Sequence, residues 1–179
     1  MSESFFEQAG YQDINISQKN FPIPYLSLDI PQGRELQMRG NLDHPIRNKM
    51  TTDQAARLMY EIFTGQAVSP QYSQKMQQLL TRDLRPEIWM QEQYNSIEGF
   101  LGEFLPIAEV HFASKVGWTS RSRQDVAFIS TKDGKTKYIV VIFANDPAYA
   151  EDWEIFPEIS LFLFNRMVER KANTDKPGL

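Results

Sequence analysis

Asp125-Val126-Ala127-Phe128-Ile129-Ser130-Thr131, then Lys132-Asp133-Gly134-Lys135, then Lys137-Tyr138-Ile139-Val140-Val141-Ile142-Phe143-Ala144, is the stretch on which the fold turns. The first and last segments are rich in β-branched and aromatic residues, the composition of strands. The Asp-Gly between them is turn chemistry, so the pair reads as a hairpin. Tyr138 to Phe143 is apolar throughout, which predicts a strand covered on both faces. Upstream, Ala108 to Lys115 forms a third strand-like run. Downstream, Trp153 to Val168 reads as a broadly apolar helix with Pro157 near its first turn, suited to covering one sheet face.

Between the first two strands lies Lys115-Val116-Gly117-Trp118-Thr119-Ser120. A lysine ending a strand, followed by glycine, sets an ammonium beside bare backbone. A carboxylate can pair with that ammonium while a carbonyl approaches the exposed N–H groups.

The helical signals lie further upstream. Thr51 or Thr52 caps a helix whose Ala55, Leu58, Met59, Ile62 and Phe63 share one face, and Gly65 ends it. Ser69-Pro70 opens the next, with Tyr72, Met76, Leu79 and Leu80 as its predicted buried stripe. Ile88 to Leu105 reads as mixed helix and loop, because Gly99 and Gly102 interrupt its helical spacing. From about Ser17 to Met50 no period is sustained, and six Pro and Gly residues punctuate the run. Loops of that length in compact domains are often functional. Phe21, Ile23, Tyr25, Leu26, Leu28 and Ile30 are its expected apolar anchors. Phe5 to Ala9 reads as the last turns of a helix stopped by Gly10, one that looks cut rather than capped.

Composition narrows the chemistry. The chain has 179 residues, 41% hydrophobic and 23% charged, with net charge −4, the profile of a globular domain. No basic stripe marks a nucleic-acid surface, and no apolar run is long enough to span a membrane. The absence of cysteine removes disulfides, thiol catalysis and Cys-based metal sites. His44 and His111 are isolated and lie in no nucleophile motif, so neither a Ser-His-Asp triad nor a zinc site is expected.

The order of parts resembles the C-terminal portion of a class A β-lactamase-like or penicillin-binding serine hydrolase. The residues that carry it are Met50-Thr51-Thr52-Asp53-Gln54-Ala55-Ala56-Arg57-Leu58-Met59, Thr64-Gly65-Gln66-Ala67-Val68-Ser69, Leu105-Pro106, the Lys115-Val116-Gly117 element, and Thr119-Ser120-Arg121-Ser122-Arg123-Gln124-Asp125-Val126-Ala127. The resemblance implies an α+β fold. A three-strand antiparallel sheet carries a C-terminal helix, and a helical region with a long Ω-type loop lies on the N-terminal side. It implies one partial domain over 1–171 and a polar tail over 172–179.

The implied chemistry is serine acyl transfer on a β-lactam or a related amide or ester, through an acyl-enzyme that water hydrolyses. Lys115 would bind a substrate carboxylate and support proton transfer, and the Trp118 backbone N–H would enter the oxyanion hole. Gly117 would keep the strand edge open, and Thr119 and Ser120 would add hydroxyl contacts. Arg121 or Arg123 would supply a further cation. No cofactor or metal is implied, and members of the family are usually periplasmic or extracellular.

Departures from the family signature are as informative. No Ser-x-x-Lys or Ser-Asp-Asn occurs, and Ser73-Gln74-Lys75 has the wrong spacing. Val116 stands where the family has Thr or Ser, and a lost hydrogen bond to a charged group costs ~1.5–3 kcal/mol. The family's general-base glutamate falls within Ile16-Ser17-Gln18-Lys19-Asn20-Phe21-Pro22, at Asn20 or Phe21. Asn20 can hold a water but cannot take its proton.

The resemblance leaves Tyr138 to Phe143 as an edge strand, which predicts pairing with a separate N-terminal part or with a second copy. Two other readings stand beside a hydrolase portion that is inactive alone. One is a non-catalytic binding or interaction module. The other is an independent hydrolase using Ser120, Ser122 or Thr119 with Lys115.

Overall fold

The structure, a computed structural model, describes residues 5–16, 18–19, 21–41 and 43–174. The chain divides into two compact units, 1–54 and 55–179.

The first unit holds α1 (Phe5–Gln8), a 3-10 turn (Pro24–Leu26) and α2 (Gly33–Arg39). α2 lies within the run that reads as an unbroken loop, and its Gly33 has φ +54. An Asn15–Lys49 bridge closes the intervening loop. Gln18 N–H donates to the Asn48 side-chain oxygen at 3.0 Å, and Asn48 donates back to the Gln18 carbonyl at 2.8 Å. Of the expected anchors only Ile23 is buried; Tyr25, Leu26 and Ile30 are exposed. Phe21 is half-buried, with the Arg39 guanidinium over its ring.

α3 (Thr52–Phe63) begins at a reciprocal cap. Gln54 N–H donates to Thr51 Oγ1, and Thr51 N–H donates to Gln54 Oε1. It buries Ala55, Met59 and Ile62 and stops at Gly65, where φ is +77. α4 (Pro70–Leu80) takes Ser69 as its cap. Its expected stripe is not buried as a whole, since Tyr72 and Leu79 are exposed. α5 (Pro86–Trp89) follows.

The sheet has the order β1-β2-β3, antiparallel throughout, with β1 Val110–Thr119, β2 Ser122–Thr131 and β3 Lys137–Ala144. β1 and β2 are longer than their sequences suggested. They pair without interruption from Val110–Thr131 to Thr119–Ser122, so the apparent loop between them is reduced to Ser120 and Arg121. Alternation then sorts the side chains. Val110, Phe112, Val116, Ala127, Ile129, Val140, Ile142 and Ala144 join Phe156 and Phe164 of α7 (Ile155–Thr174) in one apolar cluster. Leu84, Trp89, Ile97, Phe100, Leu101 and Leu105 complete it, which makes the glycine-interrupted segment a main contributor of core.

β3 departs from expectation. Tyr138 to Phe143 are half-buried on both faces rather than covered. α6 (Pro147–Glu151) is a further unforeseen turn of helix, capped by Asp146. α7 starts at Ile155 rather than Trp153, because Asp152 accepts the N–H groups of Glu154 and Ile155. It continues through Ala172 to Thr174, so the first residues of the expected tail are helical.

Candidate active site

Lys115 does not end a strand. It lies mid-way along β1, with Gly117, Trp118 and Thr119 continuing the same strand. Because β1 is an outer strand, every second residue turns its N–H and C=O away from β2. Three contacts identify which ones. The Phe112 carbonyl accepts from Arg82 N–H at 3.0 Å, the Ser114 carbonyl from Arg82 Nη2 at 2.9 Å, and the Val116 carbonyl from Lys115 Nζ at 2.8 Å. The outward groups thus belong to the even-numbered residues. With no bulge in the register, the Trp118 N–H and C=O also face outward.

The first half of this edge is closed by a Thr81–Ala113 bridge and by Arg82. The stretch from Lys115 to Thr119 is left open. Beside it lies a cavity of about 390 Å³, with Lys115, Val116 and Trp118 on its strand wall and Arg82, Glu92, Tyr94 and Ser96 opposite. That volume falls within the ~300–1,000 Å³ usual for small-molecule sites. A Cβ at Gly117 would meet nothing closer than Gln124 Oε1 at 3.8 Å. Neither backbone conformation nor packing demands glycine there, so what it preserves is open space on the face it shares with Lys115.

The other expected site residues are placed differently. Thr119 Oγ1 is 2.9 Å from Ser122 Oγ and accepts from Arg121 N–H, so its hydroxyl is engaged in closing the turn. Ser120 and Arg121 are exposed at that turn. Thr119 lies four residues from Lys115 on an extended strand, ~13 Å away. Lys115 Nζ bonds the Val116 carbonyl, while the Thr119 and Ser122 hydroxyls bond each other, so neither hydroxyl is paired with the lysine. Asn20 lies outside the described residues.

Arg123, expected as a candidate ligand cation, turns inward. It is fully buried, facing Trp118 across the hairpin on the inward side of the sheet. Its guanidinium donates to the Gly99, Tyr149 and Ala150 carbonyls at 2.7, 3.1 and 2.8 Å. It lies between the rings of Phe100 and Trp153, at 5.1 and 4.3 Å. Burial pushes its pKa down from the ordinary arginine value, and the charges of Asp152 and Glu103 pull it back up. With its donors spent inside, it offers no cation to a ligand. Phe100 also packs on the Trp118 indole at 5.7 Å, so Arg123 buttresses the candidate oxyanion residue from beneath.

Asp125 was not foreseen. It lies on β2, pairs with Val116 of β1 and is fully buried. Burial raises its pKa to about 7, opposed by N–H bonds from Leu101 and Val126 and by the charges of Arg82 and Lys115. Leu101 N–H reaches Oδ2 at 3.1 Å, while Oδ1 and the neighbouring strand's Ser114 Oγ are buried without hydrogen-bond partners. Residue parity was the available signal: Arg123 and Asp125 alternate with Ala127 and Ile129 on the core face.

Residues 2–167 match the sequence profile of the beta-lactamase enzyme family. The chain belongs to that family. Among solved structures it resembles a crystal structure of a beta-lactamase from Sphaerobacter thermophilus, with TM-score 0.57 and 20% identity over 96% of this chain and 52% of that one. The chain thus spans about half the length of that beta-lactamase, and at this identity the likeness establishes the α+β beta-lactamase-like fold. No curated protein matches. Among the described residues, no acidic or histidine cluster is placed to hold a metal ion, and no helix is long and apolar enough to cross a membrane.

Proposed function

We propose that this chain is the C-terminal part of a beta-lactamase-like serine hydrolase, supplying one wall of an acyl-transfer site and inactive alone. The observation that carries the reading is the open edge of β1. There the Lys115 ammonium lies along the strand at the Val116 carbonyl, next to the outward Trp118 N–H and a cavity. A substrate carboxylate would draw Lys115 off that carbonyl. A serine from outside this sequence would attack the substrate carbonyl. The negative charge that develops on its oxygen would meet the Trp118 N–H. Gly117 leaves room for the ligand, and Ser120 and Arg121 border the open end. The substrate class is a β-lactam or a related amide or ester.

Intact mass after incubation with a fluorescent penicillin tests this. The chain alone stays unmodified. Mixed with a polypeptide carrying a family N-terminal part with Ser-x-x-Lys, it promotes acylation of that polypeptide. Lys115→Ala then reduces labelling ~10–100-fold, the worth of a charged hydrogen bond. Acylation of this chain by itself would overturn the reading.

A second reading, an interaction module, is favoured by β3. Among the described residues its outer edge has no neighbour in the sheet, and its apolar side chains are half-exposed, the arrangement that invites pairing with another chain. Sedimentation should show a concentration-dependent dimer that Val141→Lys dissociates. A single monomeric species at all concentrations would count against it.

A further inference from the structure

A larger cavity, of about 800 Å³, opens at the other end of β1, where Thr81, Arg82 and Asp83 separate it from the candidate active site. We infer that it is a separate binding site for an amphiphilic monoanion, a carboxylate carrying a medium-length alkyl chain. Its apolar wall is built by Phe63 at the end of α3 and Phe128 on β2. Their rings stack at 3.9 Å and 8°, and Ile107, Phe112 and Ala113 extend the apolar lining. Such a surface rewards hydrocarbon at ~25 cal/mol per Å² removed from water.

The charge on the lining is the second observation. Arg82, Arg85 and Lys132 face a single carboxylate, Asp83, in a chain whose net charge is −4. Asp83 is already paired with Arg85 at 2.5 Å. The Arg82 guanidinium is engaged by the Leu79, Thr81 and Ser114 carbonyls, whereas Lys132 has no carboxylate within ion-pair distance among the described residues. A small polar anion would satisfy Lys132 and leave the phenylalanine wall wet. A neutral hydrocarbon would do the reverse. A ligand with one anionic end and one apolar end answers both.

The test is an amide NMR titration of the whole chain with sodium decanoate, decanol and sodium butyrate, each below its aggregation concentration. Decanoate should give saturable shifts centred on Phe63, Ala113 and Phe128, and should bind about tenfold more tightly than decanol, ~1.4 kcal/mol. Butyrate should give none. Lys132→Gln, a change at an exposed turn residue, should weaken decanoate and leave decanol unchanged. No saturable shift, equal binding of decanoate and decanol, or shifts confined to β3 would overturn the proposal. Butyrate binding as tightly as decanoate would equally overturn it, by reducing the site to an ion contact. None of these outcomes bears on acyl transfer at the β1 edge.

Discussion

Arg123→Ala should cost about 3–5 kcal/mol of folding stability, the scale set by breaking a buried charged network, or leave the second unit unfolded. Three carbonyls, those of Gly99, Tyr149 and Ala150, share one guanidinium. Removing it strands acceptors in the interior, and an unsatisfied buried group costs ~1–3 kcal/mol. It also empties the space between Phe100 and Trp153. The fit around it is close. A Cβ on Gly99, which has φ +72, would stand 2.4 Å from both Arg123 Nη1 and Trp153 Cε3. Lysine cannot substitute for the planar fork, because one ammonium does not reach three divergent carbonyls. Arg123→Lys is therefore expected to recover less than half of the loss. Urea denaturation followed by circular dichroism measures both variants, and a loss below ~1 kcal/mol for alanine would refute the latch.

The second large effect depends on pH. The Asp125 carboxyl has a folded pKa of about 7 against an ordinary value of 3.8. Between these values the folded chain holds a proton that the unfolded chain has released. The slope of stability with pH is therefore negative in that window. This group's contribution is most favourable below about pH 4 and is lost progressively as pH rises to about 7, by roughly 4 kcal/mol in total. The sign is opposite to that of a salt-bridged aspartate. Asp125→Asn keeps an acceptor for Leu101 N–H and removes the titration. Its urea midpoint should match the parent near pH 4 and exceed it near pH 8. Parallel curves for the two proteins would show that Asp125 is ionised at no cost.

Much of this architecture was legible from local chemistry. The Asp133-Gly134 turn, the Thr51 and Ser69 caps and the Gly65 stop each act within a few residues of themselves, and each stands where the sequence put it. What escaped depends on partners distant in sequence. Ser120-Arg121-Ser122-Arg123 reads as a polar loop because charged residues are rarely buried. It folds as a tight turn because Arg123 finds carbonyls on segments 24 to 27 residues away. Phe100 and Leu101 belong to the core although glycines break their period, since the glycines allow close approach: a Cβ on Gly102 would lie 2.9 Å from both Leu84 and Phe112. In the candidate site, Lys115 and the outward Trp118 N–H could be expected from the motif. Arg123 could not be told from Arg121 without the register of the hairpin, and Asp125 required knowing which face was inward.

The bridge between Thr81 and Ala113 sets a length limit. An extended chain laid along β1 from the hairpin end meets the outward groups of Trp118 and Val116, the Val116 carbonyl already accepting from Lys115 Nζ, before Arg82 occupies the Ser114 carbonyl. At ~3.4 Å per residue the open segment is about 13 Å long. A peptide-like ligand can therefore form ladder bonds over a few residues and must then bend away at Arg82. On the proposed acyl-transfer reading, the strand would work as a ruler that admits short acyl donors and turns longer ones off the sheet.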